Sequence, residues 1–83
     1  MFLGFDSVLE NIKTKKVKLV IVANDTSEKT KKEINFTCNK YLVPLINFGN
    51  IETNSYAIGK RNKAIIGICD SGIANRFLNL INE

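Results

Sequence analysis

Apolar residues at Phe5, Val8, Leu9 and Ile12 recur at i, i+3, i+4 and i+7, the spacing of an amphipathic first helix. Ser7 and Glu10 stand at capping-box spacing, which nominates Ser7 as its N-cap. Lys13-Thr-Lys-Lys-Val-Lys18 ends that helix and leads into Leu19 to Ala23, an apolar run without alternation. Such a run is expected of a strand covered on both faces. A second helix is predicted from about Ser27 to Tyr41, with Asp25 and Glu28 near its N-terminus and Thr30, Ile34, Cys38, Tyr41 and Leu42 turned inward. Phe36 falls off that stripe. Val43 to Phe48 reads as a second strand, confined by Pro44 to a strand start or a sheet edge.

Asn50 to Ile58 reads as a weaker helix closed by Gly59 in a left-handed cap, followed by the basic loop Lys60-Arg-Asn-Lys63. Ala64 to Cys69 is a third strand, and Ser71 to Asn82 a last helix with Ile73, Ala74, Phe77, Leu78 and Ile81 facing in. Helices alternating with strands predict one α/β domain over residues 1–83. Its architecture is expected to be a three-layer α/β/α sandwich around a small, mostly parallel or mixed sheet with right-handed crossovers.

Composition narrows the function. Twelve Lys and Arg against eight Asp and Glu give a net charge of +4, which favours nucleic acid or another polyanion as partner. The chain has no His, so Ser-His-Asp hydrolysis, His general-base chemistry and the common zinc sites are excluded within it, and neither metal nor cofactor is expected. Cys38 and Cys69 lie too far apart for metal-type spacing and sit in apolar patterns, so both read as reduced core thiols of a cytoplasmic protein. The start Met1-Phe2-Leu3-Gly4-Phe5-Asp6 is too short and too quickly acidic for a signal peptide.

Three features could carry chemistry. The first is the cations beside turns at one sheet edge, Lys29, Lys60, Arg61 and Lys63, which suit phosphate contacts; Lys31 and Lys32 are expected farther from that edge. The second is Cys69-Asp-Ser-Gly-Ile-Ala-Asn-Arg76, a strand-to-helix turn like a phosphatase loop. There the Arg stands at 76 where such a loop needs it at 75, and Asp70 or Ser71 serves more simply as a helix cap. The third is Asp25 and Asp70, a pair of carboxylates if both strand ends share an edge.

The ordered set Gly4, Lys18-Leu-Val-Ile-Val-Ala-Asn-Asp-Thr-Ser27, Thr30-Lys-Lys32, Cys38, Val43-Pro44, Ile58-Gly-Lys60 and Asp70-Ser-Gly-Ile-Ala-Asn75 resembles the bacterial YlxQ-like branch of the ribosomal protein L-seven-Ae superfamily, over residues 4 to 82. The resemblance implies an α/β/α sandwich that binds structured RNA, often a kink-turn, as a non-catalytic cytoplasmic ribonucleoprotein component associated with ribosomal or other non-coding RNA. By position it assigns RNA contacts to Gly4, Asp6, Ser7 and Glu10, to Asp25, Thr26 and Ser27, and to Lys60, Arg61 and Asn62. The turn-adjacent Lys29 and Lys63 complete the expected surface.

The chain departs from the family pattern in four places. Asp6, Ser7 and Glu10 replace the Asn, Glu and Lys of kink-turn binders, and Asn54-Ser55 replaces a Leu-Gly pair. The loop before the last strand is short and basic rather than longer and apolar. A helix ahead of Gly4 is missing, which predicts an exposed apolar patch or self-association. The alternatives on the same fold are a protein-interaction module, favoured by Asp6 and Glu10, and a small phosphoryl-binding enzyme using Cys69.

Overall fold

Two uninterrupted apolar runs build the centre of the sheet. The computed structural model describes residues 1–81, with side chains to Asn79, so the expectations for the Ile81 side chain and for Asn82 lie outside the described residues. The elements are β1 (Phe2–Leu3), α1 (Phe5–Lys13), β2 (Leu19–Val22), α2 (Glu28–Tyr41), β3 (Leu45–Asn47), α3 (Ile51–Ala57), β4 (Ile65–Ile68) and α4 (Ser71–Ile81). The strand order is β1-β4-β2-β3. Every residue of β2 and of β4 is buried, as their unbroken apolar sequence requires of strands covered on both faces.

Alternation sends the two sets of side chains to opposite sides. Val20, Val22 and Ile65 join Val8 and Ile12 of α1 and Ile34 and Cys38 of α2 in one core. Leu19, Ile21, Ile66 and Ile68 form the other with Ala74 of α4, and Ile58, Phe77 and Leu78 pack against it. Phe77 also meets Phe48 edge to face, with ring centroids 5.5 Å apart. The result is the three-layer sandwich expected. Each fully buried Ile or Val side chain contributes about 1.5–3 kcal/mol, so α1 and α2 are held mainly by their inward stripes. Gly67 lets α1 approach closely: a Cβ there would lie 3.2 Å from Val17 Cγ2 and 3.3 Å from Val8 Cγ2.

The sheet is mixed, and only β2 and β3 run parallel; β4 is antiparallel to both β1 and β2. The periodicity of the chain carries no information on strand direction, so it leaves a mostly parallel and a mixed sheet both open, and the structure is the mixed one. Pro44 precedes edge strand β3, where its missing amide costs no ladder bond. Gly59 is left-handed (φ 70°), as expected of a helix terminator.

Several local expectations are corrected. The N-cap of α1 is Gly4, and Ser7 lies within the helix, where its carbonyl accepts from Asn11 Nδ2 at 2.8 Å. In α2, Thr37 is buried instead of Thr30, and Leu42 is 89% exposed because the chain turns left-handed there (φ 58°) and points the side chain away from the core. Ile73 is exposed in the first turn of α4. Cys69 is exposed, since β4 ends one residue before it. Among the described residues, no helix is long and apolar enough to cross a membrane.

Ile21 sits in a central strand at 5% exposure, with Ile66 as its cross-strand partner. Replacing it with Asp buries an unpaired carboxylate at a cost of several kcal/mol or more. Ile21→Asp is expected to abolish the cooperative thermal transition followed by circular dichroism; a soluble variant with the wild-type midpoint would contradict the placement of β2.

Candidate functional site

Antiparallel pairing of β2 with β4 sets the end of one beside the beginning of the other. The Ala23 amide donates to the Ala64 carbonyl at 3.0 Å, and the Gly4 amide donates to Ile65 at 3.0 Å. Parallel β3 ends on the same side: Phe48 N–H bonds Val22 O at 2.9 Å, and Asn24 N–H bonds Gly49 O at 2.9 Å. This upper edge therefore collects the start of α1, the 23–27 turn, the start of α3 and the 60–63 loop. Of the twelve residues expected to form a site, eleven lie on these segments or in the first turns of their helices, and Glu10 follows in the second turn of α1. Asp70, at the far end of antiparallel β4, is at the opposite edge from Asp25. The two carboxylates are not a pair, and Asp70 caps α4 by accepting from Ile73 N–H at 3.1 Å.

The turn after β2 is tied to its neighbours. Asp25 Oδ1 accepts from the Ile51 amide at 2.8 Å, joining that turn to α3. Ser27 caps α2, its Oγ accepting from the Thr30 amide. Thr26 is buried between them, and its Oγ1 has no hydrogen-bond partner. Lys29 is exposed in the first turn of α2. Lys31, expected farther away, returns to the edge: its Nζ donates to Asn24 O at 2.8 Å and lies 3.7 Å from Glu28 Oε1. Helical side chains lean toward the N-terminus, so a Lys one turn after an N-cap reaches back over it; that spacing was the available signal.

The basic loop is held by a buried serine. Ser55 is 2% exposed. Its hydroxyl accepts from the Lys63 amide and its carbonyl from the Lys60 amide, both at 2.8 Å, so one residue clamps both ends of the loop. Asn62 turns left-handed at φ 55°, a conformation Asn tolerates. Next to Ser55, buried Asn54 donates from Nδ2 to Phe48 O at 2.7 Å. Gly49 must remain glycine, because φ is +63° and a Cβ would overlap Asn54 Oδ1. An Asn50–Thr53 capping box opens α3. The Asn54-Ser55 pair thus supplies hydrogen bonds that a Leu-Gly pair could not.

Asp25, Lys60, Arg61 and Asn62 line a cleft of about 590 Å³ together with Ile51, Glu52, Ser55 and Tyr56. Glu52 and Tyr56 were not expected there; Tyr56, 85% exposed, offers an open aromatic face beside Arg61. Gly4, Asp6, Ser7 and Glu10 belong to a separate part of the edge on α1 and do not line the cleft. Lys29, Lys31, Lys60, Arg61 and Lys63 stand against Asp6, Glu10, Asp25, Glu28 and Glu52, so the edge is close to neutral. Such an edge offers cations for phosphates, carboxylates for base N–H groups and an aromatic face for stacking.

The two thiols are unlike each other. Burial pushes the Cys38 thiol up to about 11, whereas exposed Cys69 lies 3.1 Å from the Met1 amine at the opposite edge. Among the described residues no cluster of His, Cys, Asp or Glu could hold a metal.

Known proteins share this sequence pattern and fold. The profile of the Ribosomal protein L7Ae/L30e/S12e/Gadd45 family matches residues 1–75. The chain is 30% identical over 79 residues to RNA-binding protein YlxQ of Bacillus subtilis (strain 168), covering 95% of this chain and 79% of that protein. It is 36% identical over 78 residues to RNA-binding protein YlxQ of Enterococcus faecium, covering 94% and 75%. A solved structure, described as a protein with unknown function from Bacillus halodurans C, superposes with a TM-score of 0.94 at 32% identity, covering 98% of this chain and 82% of that one.

Two substitutions should shift stability in opposite directions. Ser55→Ala strands the Lys63 amide and is expected to cost about 1–3 kcal/mol in urea unfolding. Thr26→Val removes an unpaired buried hydroxyl and is expected to gain about 1 kcal/mol. Equal effects of one sign would refute this account of the edge. At pH 8 in native buffer, a thiol reagent should titrate only Cys69 and reach Cys38 only in denaturant, because the thiolate is the reactive form; two fast thiols would contradict the burial of α2.

Proposed function

Because the chain belongs to the ribosomal protein L7Ae/L30e/S12e/Gadd45 family, we propose that it is a non-catalytic RNA-binding protein of ribosomal-protein type that holds a structured RNA, of the kink-turn class, at the upper edge of its sheet. The observation that carries this reading is the convergence there of the α1 start, the 23–27 turn and the Ser55-clamped basic loop. The relatives named as RNA-binding proteins support the partner class. The RNA is ribosomal or another non-coding RNA, met in the cytoplasm, and no cofactor takes part.

Residue roles follow from chemistry. Lys29, Lys60, Arg61 and Lys63 neutralise phosphates, joined by Lys31. The free amides in the first turn of α1 face the backbone, and Ser7, Ser27 and Asn62 supply short polar contacts. Gly4, whose amide is bonded to Ile65, and buried Thr26 shape the surface instead of touching the RNA. Asp6, Glu10 and Asp25 would repel phosphates, so they act where a base turns its N–H groups toward them. Tyr56 gives a face for an unpaired base, worth about 1–3 kcal/mol where such stacking forms. A near-neutral edge makes this recognition depend on shape and bases more than on bulk attraction.

The five carboxylates also favour a second reading, a protein-interaction module on the same fold. A salt titration of affinity for a kink-turn RNA separates the two. Replacing Lys60, Arg61 and Lys63 together with Ala should weaken binding and flatten the slope of log K against log salt by up to about three. Glu10→Lys should strengthen it, and Lys31→Ala should weaken it. Wild-type affinity and slope in the triple variant would reject the upper edge as the RNA surface.

A further inference from the structure

The net charge of the chain does not reside at the upper edge. Lys13 ends α1, Lys15, Lys16 and Lys18 occupy the turn into β2, and Lys40 ends α2; both helix ends and that turn lie at the lower edge. Ile12, Lys15, Val17 and Lys18 form one wall of a cleft of about 380 Å³ whose other wall is Tyr41 to Pro44. Lys40 stands over the Tyr41 ring, 5.8 Å from its centroid, which brings it to the same cleft. The only carboxylate found at this edge among the described residues is Asp70, already engaged in capping α4. The sole ion pair among the described residues, Lys31–Glu28, is at the other edge. Five lysines against one carboxylate give the lower edge a side-chain charge of +4, equal to that of the whole chain, and the Met1 amine beside Cys69 adds to it.

Helix dipoles explain Lys13 and Lys40, which complement C-terminal carbonyls. They do not explain the other three, which lie outside any helix. Lys15 is the more telling. The Lys15 amide bonds Ile12 O at 3.0 Å and the Lys16 amide bonds Asn11 O at 2.9 Å, a Schellman termination with Lys15 at its left-handed position, φ 61°. Gly or Asn is the easier residue there, so this turn keeps a lysine at the expense of backbone strain.

We propose that the lower edge is a second RNA-contact surface, taking the phosphate backbone of a duplex segment separate from the RNA at the upper edge. This rests on the reading that the protein binds RNA, and it adds a second, sequence-independent grip. The exposed lysines present charge beside a single carboxylate, Asp70, which is engaged in capping, and the half-buried Tyr41 ring is covered by Lys40, so the edge suits phosphates more than bases. Strands of four residues hold the edges roughly 13 Å apart, beyond the Debye length of about 8 Å at physiological salt, so the two surfaces respond to salt independently.

The test uses the full chain and a blunt 20-base-pair RNA duplex lacking loops or bulges. Replacing Lys15, Lys16 and Lys18 together with Gln should reduce the salt slope of duplex binding by up to about three, and duplex affinity at low salt by at least tenfold. The Lys60, Arg61 and Lys63 alanine variant should lose much less duplex affinity than the glutamine variant. Lys15→Gly should melt hotter, on the order of 5 °C, and yet bind duplex more weakly, which excludes misfolding as the cause of lost affinity. Wild-type affinity and slope in the glutamine variant would overturn the proposal. So would sedimentation with phosphatidylserine vesicles in the absence of duplex binding, which would assign the edge to a membrane surface. Failure of the upper-edge reading would appear instead as kink-turn binding that survives the alanine variant, with the duplex result unaffected.

Discussion

The antiparallel pairing of Leu19–Val22 with Ile65–Ile68 decides which loops share an edge, and every later property depends on it. Both strands are buried on both faces, so a slip of one residue would exchange the two cores and is strongly opposed. With that register set, the turn after β2 must meet the loop before β4, while the turn after β4 must leave by the other side. The same pairing separates Asp25 from Asp70, so those two carboxylates form no site. It also parts the exposed Cys69 from the cations of the 60–63 loop.

Around the upper edge, small polar side chains replace apolar packing as the organising contacts. Asn54 holds the Phe48 carbonyl, Ser55 holds both ends of the basic loop, and Asp25 holds the first amide of α3. Hydrogen bonds of this sort contribute modestly when made, but breaking the partly buried ones at Asn54 and Ser55 leaves an unpaired group at a larger cost. They therefore specify one loop geometry more than they raise stability. A three-turn edge organised in this way can present cations, carboxylates and an aromatic face at set positions, which is what recognition of a folded RNA demands.

Charge is distributed by the fold, not by composition alone. A net +4 invites a single positive face, yet the upper edge is nearly neutral and the excess lies below. On the reading proposed above, the two edges divide the usual components of RNA binding, with shape and base contacts on one and plain phosphate attraction on the other.

The chain alone determined the elements, the buried status of the two central strands, the edge position of the Pro44 strand and the left-handed Gly59, because periodicity and backbone restrictions act over a few residues. The residue order was enough to point to the family and to the segments that carry its expected site. Strand direction, the exposure of Leu42, Ile73 and Cys69, and the return of Lys31 to the edge were decided only in three dimensions. So were the entry of Tyr56 and Glu52 into the cleft and the role of Ser55. Each of these depends on partners distant in sequence, such as Ser55 with Lys63 or Asp25 with Ile51, whose geometry exists only once the sheet has brought their loops together.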